Sequence, residues 1–179
     1  MFARTPRLTL RPGWPEDAPA LTRAIAHESV VTMLAHAPWP YALGDAEEFL
    51  SQPWGGTVPR FVILSHEREY PRIVGGIGVT PDVQGHEFGY WLTPDAWGRG
   101  YATEAGRAVL AMARHALGIR RLHAGHFLDN PASGRVLTKL GFRATGRVEP
   151  RESRARASAA PCALFEIDLD VASAIPLAA

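Results

Sequence analysis

Residues 97–105 read Trp-Gly-Arg-Gly-Tyr-Ala-Thr-Glu-Ala, and this stretch decides the fold. The residue pattern over 87–92 predicts a strand before it, and the pattern over 103–117 predicts a helix after it. Gly98 and Gly100 lie between the two, where glycines let the backbone expose several N–H groups. Such groups, together with the positive end of a helix dipole, form a site for phosphate. The sequence therefore predicts that this chain holds a phosphorylated ligand.

Length and charge restrict the possible classes of protein. The chain has 179 residues and a net charge of +1, from 19 basic and 18 acidic side chains. This balance argues against a nucleic-acid or membrane-surface partner. One cysteine permits no internal disulfide, and no signal peptide or long apolar run is visible, so we expect a cytoplasmic protein. We expect a single domain over residues 1–170, a tail over 171–179, and a monomer or homodimer.

The residue patterns along the chain predict a mixed α/β fold. Strands are expected over residues 7–11, 61–64, 73–79, 87–92 and 122–128, with a closing hairpin of 142–148 and 164–169. Helices are expected over 16–34, over 45–50 with Asp45 as its cap, over 103–117, and from Asn130 to Gly141. Strand, helix and strand over 87–128 predict a right-handed parallel crossover. The expected sheet is mostly antiparallel with one parallel step and helices on both faces.

Two motifs in this order carry a family resemblance. Residues 89–92 read Gly-Tyr-Trp-Leu and run on to the stretch at 97–105. Residues 130–133 read Asn-Pro-Ala-Ser, and residues 139–142 read Lys-Leu-Gly-Phe. On these motifs the chain resembles the GNAT superfamily of acyl-CoA-dependent N-acyltransferases over residues 4–170. The likeness is greater to its RimJ/RimL-like branch of ribosomal-protein N-terminal acetyltransferases. Trp97 departs from the Gln or Arg that begins the superfamily's cofactor signature.

The resemblance implies a site for acetyl-CoA, with no metal. The backbone amides of Gly98, Gly100, Ala102 and Thr103 would hold the pyrophosphate. The backbone at Trp91 and Leu92 would pair with the pantetheine arm and polarise the acyl carbonyl, while Asn130 would contact the pantetheine and Ser133 would lie near the sulfur. The implied cofactor-binding set is Trp91, Leu92, Trp97, Gly98, Arg99, Gly100, Tyr101, Ala102, Thr103, Asn130 and Ser133.

The chemistry of amine acylation needs groups that move protons and stabilise charge. The amine must lose a proton, and the leaving thiolate is helped by an acid. Glu87 is the candidate base, because strand alternation places it on one face with Gly89 and Trp91; a solvated strand-end glutamate is the alternative. Ser133 is the candidate acid, or a plain first-turn serine. Asn130 completes the candidate catalytic set, although its capping role alone would explain it.

Other polar residues have simpler explanations. His123 and His126 are three apart on a strand, so they point to opposite faces and make a poor metal site. Cys162 is expected to pack rather than react. Arg151, Arg154 and Arg156 could attract an acidic acceptor, but a solvated hairpin loop is the favoured interpretation. Trp39 and Tyr41 could line the acceptor side or simply pack.

The expected activity is transfer of an acetyl group from acetyl-CoA to a primary amine, by direct attack in a ternary complex. The acceptor is a protein N-terminus or a small-molecule amine. A dinucleotide-binding oxidoreductase is disfavoured because the third glycine of its motif is Thr103 here, and no nucleotide-hydrolase motif is present. The alternative is a non-catalytic protein of the same fold that binds acyl-CoA as a sensor or partner module.

Overall fold

A computed structural model describes residues 1–52 and 58–170. Within these ranges the chain forms eight strands and five α-helices. The strands are β1 (Ala3–Arg4), β2 (Leu8–Arg11), β3 (Arg60–Ser65), β4 (Arg72–Asp82), β5 (Gly85–Leu92), β6 (Arg121–Phe127), β7 (Arg143–Arg151) and β8 (Ala160–Asp168). The helices are α1 (Ala18–Ile25), α2 (Glu28–Val31), α3 (Leu43–Ser51), α4 (Tyr101–His115) and α5 (Pro131–Lys139). The expected tail at 171–179 lies outside the described residues.

The strands form one sheet in the order β1-β2-β3-β4-β5-β6-β8-β7. Every neighbouring pair is antiparallel except β5 and β6, which are parallel and joined through α4. Successive residues of β3 pack on opposite faces: Ile63 belongs to the cluster with α4 and α5, and Val62 to the cluster with α1 and α3. The mixed α/β class, the single parallel step and the two helical layers are confirmed.

The first predicted helix, over 16–34, is wrong in its continuity. The structure has a 3₁₀ turn at Pro15–Asp17, then α1, then α2. His27 separates the two helices with an extended backbone, φ −129° and ψ 125°. The break brings Val30 and Val31 into an apolar cluster against which Leu34, Ala37 and Trp91 pack. Burial of these side chains therefore overrides the helical periodicity of the segment.

Helix ends follow the sequence signals at α5 but not at α3. Asn130 is the N-cap of α5, and its Oδ1 accepts from the Ser133 N–H at 3.3 Å. The C-terminus is a Schellman motif, in which the Phe142 N–H donates to the Leu137 carbonyl at 3.0 Å. Asp45 is not the cap of α3, because the helix begins two residues earlier. Its carboxylate instead accepts from the Ala42 N–H at 2.8 Å.

The closing hairpin is longer than expected. Strand β7 ends at Arg151, later than predicted, and β8 begins at Ala160, earlier than predicted. The arginine-rich connection between them is therefore only residues 152–159. A register shift between Ala144 and Val148 interrupts the pairing, and Gly146 within it has φ 79°. This irregularity lies in the edge strand of the sheet, where bulges discourage pairing with other chains.

Gly75 offers a test of how closely β4 approaches β5. A β carbon on Gly75 would overlap the Trp91 carbonyl oxygen and lie 2.7 Å from a methyl of Leu92. We expect Gly75→Ala to lower the free energy of unfolding by about 1–3 kcal/mol, because backbone cannot move aside as a side chain can. Gly44→Ala in α3 is the matched control, since its β carbon meets nothing within 4 Å. It should be neutral or stabilising by up to about 1 kcal/mol in urea unfolding. Equal losses in both variants would contradict this account.

Candidate functional site

A gap in the middle of the sheet is the main feature of the site. Among the described residues, the register of β5 with β6 pairs Glu87 with His123. On the other edge of β5 the ladder with β4 continues to Leu92, and the Thr93 N–H donates to the Val74 carbonyl at 2.9 Å. That bond fixes the alternation, which turns the backbone groups of Trp91 toward β4 and those of Tyr90 and Leu92 toward β6. Tyr90, which no sequence signal marks, therefore joins Leu92 in facing the gap. The Trp91 backbone, which was expected to pair with a pantetheine arm, pairs with β4 instead.

The glycine loop follows directly at the end of β5. Trp97 donates its indole Nε1–H to the Leu92 carbonyl at 2.9 Å, while half of the residue stays exposed. Gly98 and Gly100 have φ of 73° and 80°, and a β carbon on Gly98 would meet nothing within 4 Å. Because α4 begins at Tyr101, the N–H groups of its first turn lack partners within the helix. This open backbone surface fits a phosphate group.

A polar cluster ties the first turn of α4 to the N-terminal strands. The Glu104 carboxylate accepts from the Thr5 hydroxyl at 2.6 Å and from the Arg7 Nε at 2.8 Å. Arg7 also donates from Nη1 to the Arg99 carbonyl at 3.0 Å, and its guanidinium lies over the Tyr101 ring. Burial opposes ionisation of Glu104, but the hydrogen bonds from Thr5 and Arg7 outweigh it and lower its pKa. The sequence gives no signal for this cluster, since its members are almost 100 residues apart.

The surface beside the loop is basic. A groove there is lined by Gly100, Thr103 and Ala108, by Arg4, Arg107 and Lys139, and by the paired Arg7 and Glu104. The Arg99 residue itself is exposed. Cations spaced along a groove that begins at a phosphate-type loop suit further phosphate groups.

The second motif meets the gap from the α5 side. The Tyr90 hydroxyl donates to Ser133 Oγ at 3.1 Å, which links β5 to α5. Burial raises the pKa of Tyr90, and the bond to Ser133 opposes that rise. Asn130 holds the Ser133 backbone through its capping bond. Ser133 and Asn130 thus lie together in the first turn of α5, and this turn lies beside β5.

Glu87 is not a solvated strand-end glutamate. Arg151 contacts both of its carboxylate oxygens, with Nη2 at 2.8 Å from Oε2 and Nη1 against Oε1. The hydrogen bond to Glu87 raises the pKa of Arg151 above its ordinary value, despite burial. Buried Cys162 lies near the pair, next to Gly125. An ideal β carbon on Gly125 would be 2.7 Å from Cys162 Sγ and 3.4 Å from Arg151 Nη1, so both side chains border the same small space. Each carboxylate oxygen has two lone pairs, so the pair leaves Glu87 able to accept further hydrogen bonds.

The arginine-rich connection is also not a freely solvated loop. Arg156 donates to the Thr32 carbonyl at 2.6 Å and pairs with Asp129 at 2.9 Å. Ser153 donates its hydroxyl to the Leu34 carbonyl at 2.6 Å, and the Arg154 N–H donates to the Ala35 carbonyl at 3.0 Å. These bonds close residues 152–156 over residues 32–35. The favoured expectation of a solvated loop is therefore wrong, because Arg156 within the loop and Arg151 at the end of β7 are both held by carboxylates.

The remaining candidates have structural partners. His123 Nε2 lies 3.0 Å from an oxygen of Asp82, and His126 Nδ1 lies 2.8 Å from the Phe127 carbonyl. Half-buried Tyr41 packs on two apolar clusters, and Trp39 is 41% exposed. In the part of the chain that the structure describes, there is no group of three or more His, Cys, Asp or Glu placed to hold a metal ion. The described helices include none long and apolar enough to cross a membrane.

Comparison with known proteins decides the family. The sequence model of the acetyltransferase (GNAT) domain family matches residues 7–143 of this chain. The chain belongs to the GNAT acetyltransferase family. As the resemblance predicts, this is a family of acetyltransferases.

Individual relatives of this GNAT domain agree with that assignment. An uncharacterised N-acetyltransferase of Bacillus subtilis, YoaA, is 38% identical over 82 residues, which cover 44% of this chain and 46% of the relative. The match thus spans about half the length of that protein. A GNAT-family acetyltransferase from Bacillus anthracis superposes with a TM-score of 0.80 at 21% identity, covering 95% of this chain and 99% of that one. The ribosomal L7/L12 α-N-protein acetyltransferase RimL, solved with coenzyme A, gives 0.79 at 17% identity, with 95% and 99% covered. At these identities, the structures show the shared fold.

The Glu104 cluster predicts a pH-dependent stability. A carboxyl group whose pKa is lowered by folding stabilises the protein above its unfolded value, about 4.3, and loses that contribution as the pH falls through the folded value. We expect Glu104→Gln to cost about 1–3 kcal/mol at pH 7. The difference in Tm from wild type should stay constant down to about pH 5 and close below about pH 4. Glu47→Gln, an exposed change on α3, is the control. A difference that persists unchanged at pH 3 would show that the charge is not involved.

Proposed function

We propose that this chain is an N-acetyltransferase of the RimJ/RimL-like branch that moves an acetyl group from acetyl-CoA to a primary amine. The acceptor is a protein N-terminus or a small-molecule amine, and the amine attacks directly in a ternary complex. One observation supports this above the others. The gap between β5 and β6 ends at the open glycine loop on one side and at Glu87, where the strands meet, on the other. A donor held in the gap would present its reactive end between these two points.

The residues around the gap fit coenzyme A. The left-handed glycines and the first turn of α4 offer the amides of Gly98, Gly100, Ala102 and Thr103 to the pyrophosphate. The cations of the neighbouring groove suit the remaining phosphate. Trp97 occupies the Leu92 carbonyl, which leaves the Leu92 N–H to bond the pantetheine or the acyl oxygen. That RimL was solved with coenzyme A in a similar fold supports the same use here.

The acceptor would approach from the other face of β5. Glu87, Gly89 and Trp91 share that face, and Trp91 packs against the same apolar cluster as Leu34 and Ala155. A β carbon on Gly89 would meet nothing within 4 Å, so space lies beside the carboxylate. Glu87 would accept the amine proton, directly or through water, while Arg151 holds the carboxylate in one orientation. The thioester supplies the activated acetyl group.

Ligand-induced stabilisation tests the donor site. Acetyl-CoA at 100 times its Kd should add about 2.7 kcal/mol, which raises Tm by several degrees. Gly98→Ala should weaken this binding at least about tenfold, because a β carbon there fills the space that a phosphate would use. Gly146→Ala is the matched control, since its φ of 79° and open surroundings make the strain similar, far from the gap. Equal shifts with NAD or ATP, or loss of the shift in both variants, would refute the donor site.

Turnover tests the base. Glu87→Gln should lower kcat by roughly 10²-fold and leave the Kd of acetyl-CoA unchanged, because the amide cannot take the amine proton. The loss should shrink at high pH, where the free amine is abundant. Activity is followed as free-thiol release from acetyl-CoA with short peptides and small primary amines as acceptors. Binding of acetyl-CoA without turnover on any of these amines would favour the non-catalytic acyl-CoA-binding module.

A further inference from the structure

Tyr90 has no role in the function proposed above, yet it makes a specific contact in the gap. Its hydroxyl lies 3.1 Å from Ser133 Oγ and bridges β5 to α5. Its ring packs against the main apolar cluster, with its centroid 6.1 Å from that of Phe88. The ring therefore fixes where the hydroxyl lies, and the hydroxyl contacts Ser133, the residue that the family resemblance places near the sulfur.

The direction of this hydrogen bond has a consequence for Ser133. A serine hydroxyl has one hydrogen to donate and two lone pairs that accept. Because a phenol is the more acidic hydroxyl, Tyr90 is the donor, and burial raises its pKa and keeps that hydrogen in place. The serine hydrogen is then free to be donated elsewhere. The Ser133 backbone is already fixed by its N–H bond to Asn130, so the hydroxyl rotation is the freedom that remains.

We propose that Tyr90 is a positioning residue that, by donating to Ser133 Oγ, directs the serine hydrogen toward the sulfur of the bound thioester. This inference rests on the proposed function. The amine nitrogen forms a bond to the acetyl carbon. When the C–S bond then breaks, its electron pair moves to sulfur, and Ser133 donates a hydrogen bond to the developing thiolate. The thiolate then takes a proton from water, and the proton removed from the amine leaves through Glu87 to solvent. Both hydroxyl groups keep their hydrogens, so the step needs no other reactant.

A double-mutant cycle separates positioning from packing. The variants are Tyr90→Phe, which keeps the ring, Ser133→Ala, and the two combined; Tyr70→Phe, at a residue 74% exposed, is the control. With acetyl-CoA and the most active amine of the screen, Tyr90→Phe should lower kcat about 3- to 10-fold, the worth of one hydrogen bond. The KM for acetyl-CoA should change less than twofold. In the Ser133→Ala background, Tyr90→Phe should have no further effect, because the group it orients is absent.

Three results would overturn the proposal. One is an unchanged kcat in Tyr90→Phe. Another is the same fold loss with and without Ser133, which would assign the effect to packing. The third is a rise in KM with kcat unchanged, which would place Tyr90 in coenzyme binding. In each of these cases, a lower kcat in the Glu87→Gln variant than in the wild type would show that the proposed transferase activity still holds. A wild-type protein without turnover on any amine would remove both proposals together.

Discussion

The separation of two parallel strands is the constraint on which the site depends. β5 and β6 pair at Glu87 and His123, and beyond that point Tyr90 and Leu92 turn backbone groups into a gap inside the sheet. Unpaired backbone groups in such a position are costly unless something satisfies them. Trp97 satisfies one of them, the Leu92 carbonyl. In the proposed function, the others are available to the amide groups of a pantetheine arm.

The gap persists because each of its strands has a complete ladder on its other side. β5 pairs with β4 from Gly85 to Leu92, and β6 pairs with β8 from Arg121 to Phe127. Small residues then let the helices close around it: a β carbon on Gly134 would lie 2.6 Å from His126, and one on Gly106 would lie 2.6 Å from Leu140. Helix α5 thereby lies close against β6, and α4 lies close against the C-terminal end of α5. The stability of the surrounding fold, rather than pairing across the gap, keeps the site open.

Local sequence signals predict the fold and the position of the loop, whereas they carry no information on the long-range polar contacts. The left-handed glycines, the Asn130 cap and the Schellman end of α5 are each set by a few neighbouring residues, and each was predictable. The helix break at His27 was missed because burial of Val30 and Val31 decides it. The bond of Arg151 to Glu87 joins residues 64 apart, and no periodicity marks such a pair. Sequence reasoning therefore predicted the strand, the loop and the helix that follow one another there, but not which charges are neutralised beside them.

That neutralisation bears on how an amine would be recognised. A free carboxylate would attract an ammonium ion and hold it in the protonated form, which cannot attack a thioester. Arg151 contacts both oxygens of Glu87, so the pair carries no net charge and draws a cationic acceptor only weakly. The lone pairs that remain on the carboxylate can still take the proton that the acceptor nitrogen loses as it attacks, directly or through an intervening water. In the proposed reaction, Arg151 therefore favours the neutral amine, which is the reactive form of the acceptor, over the more abundant ammonium ion. The bonds that close residues 152–156 over residues 32–35 hold the end of the strand that carries this arginine.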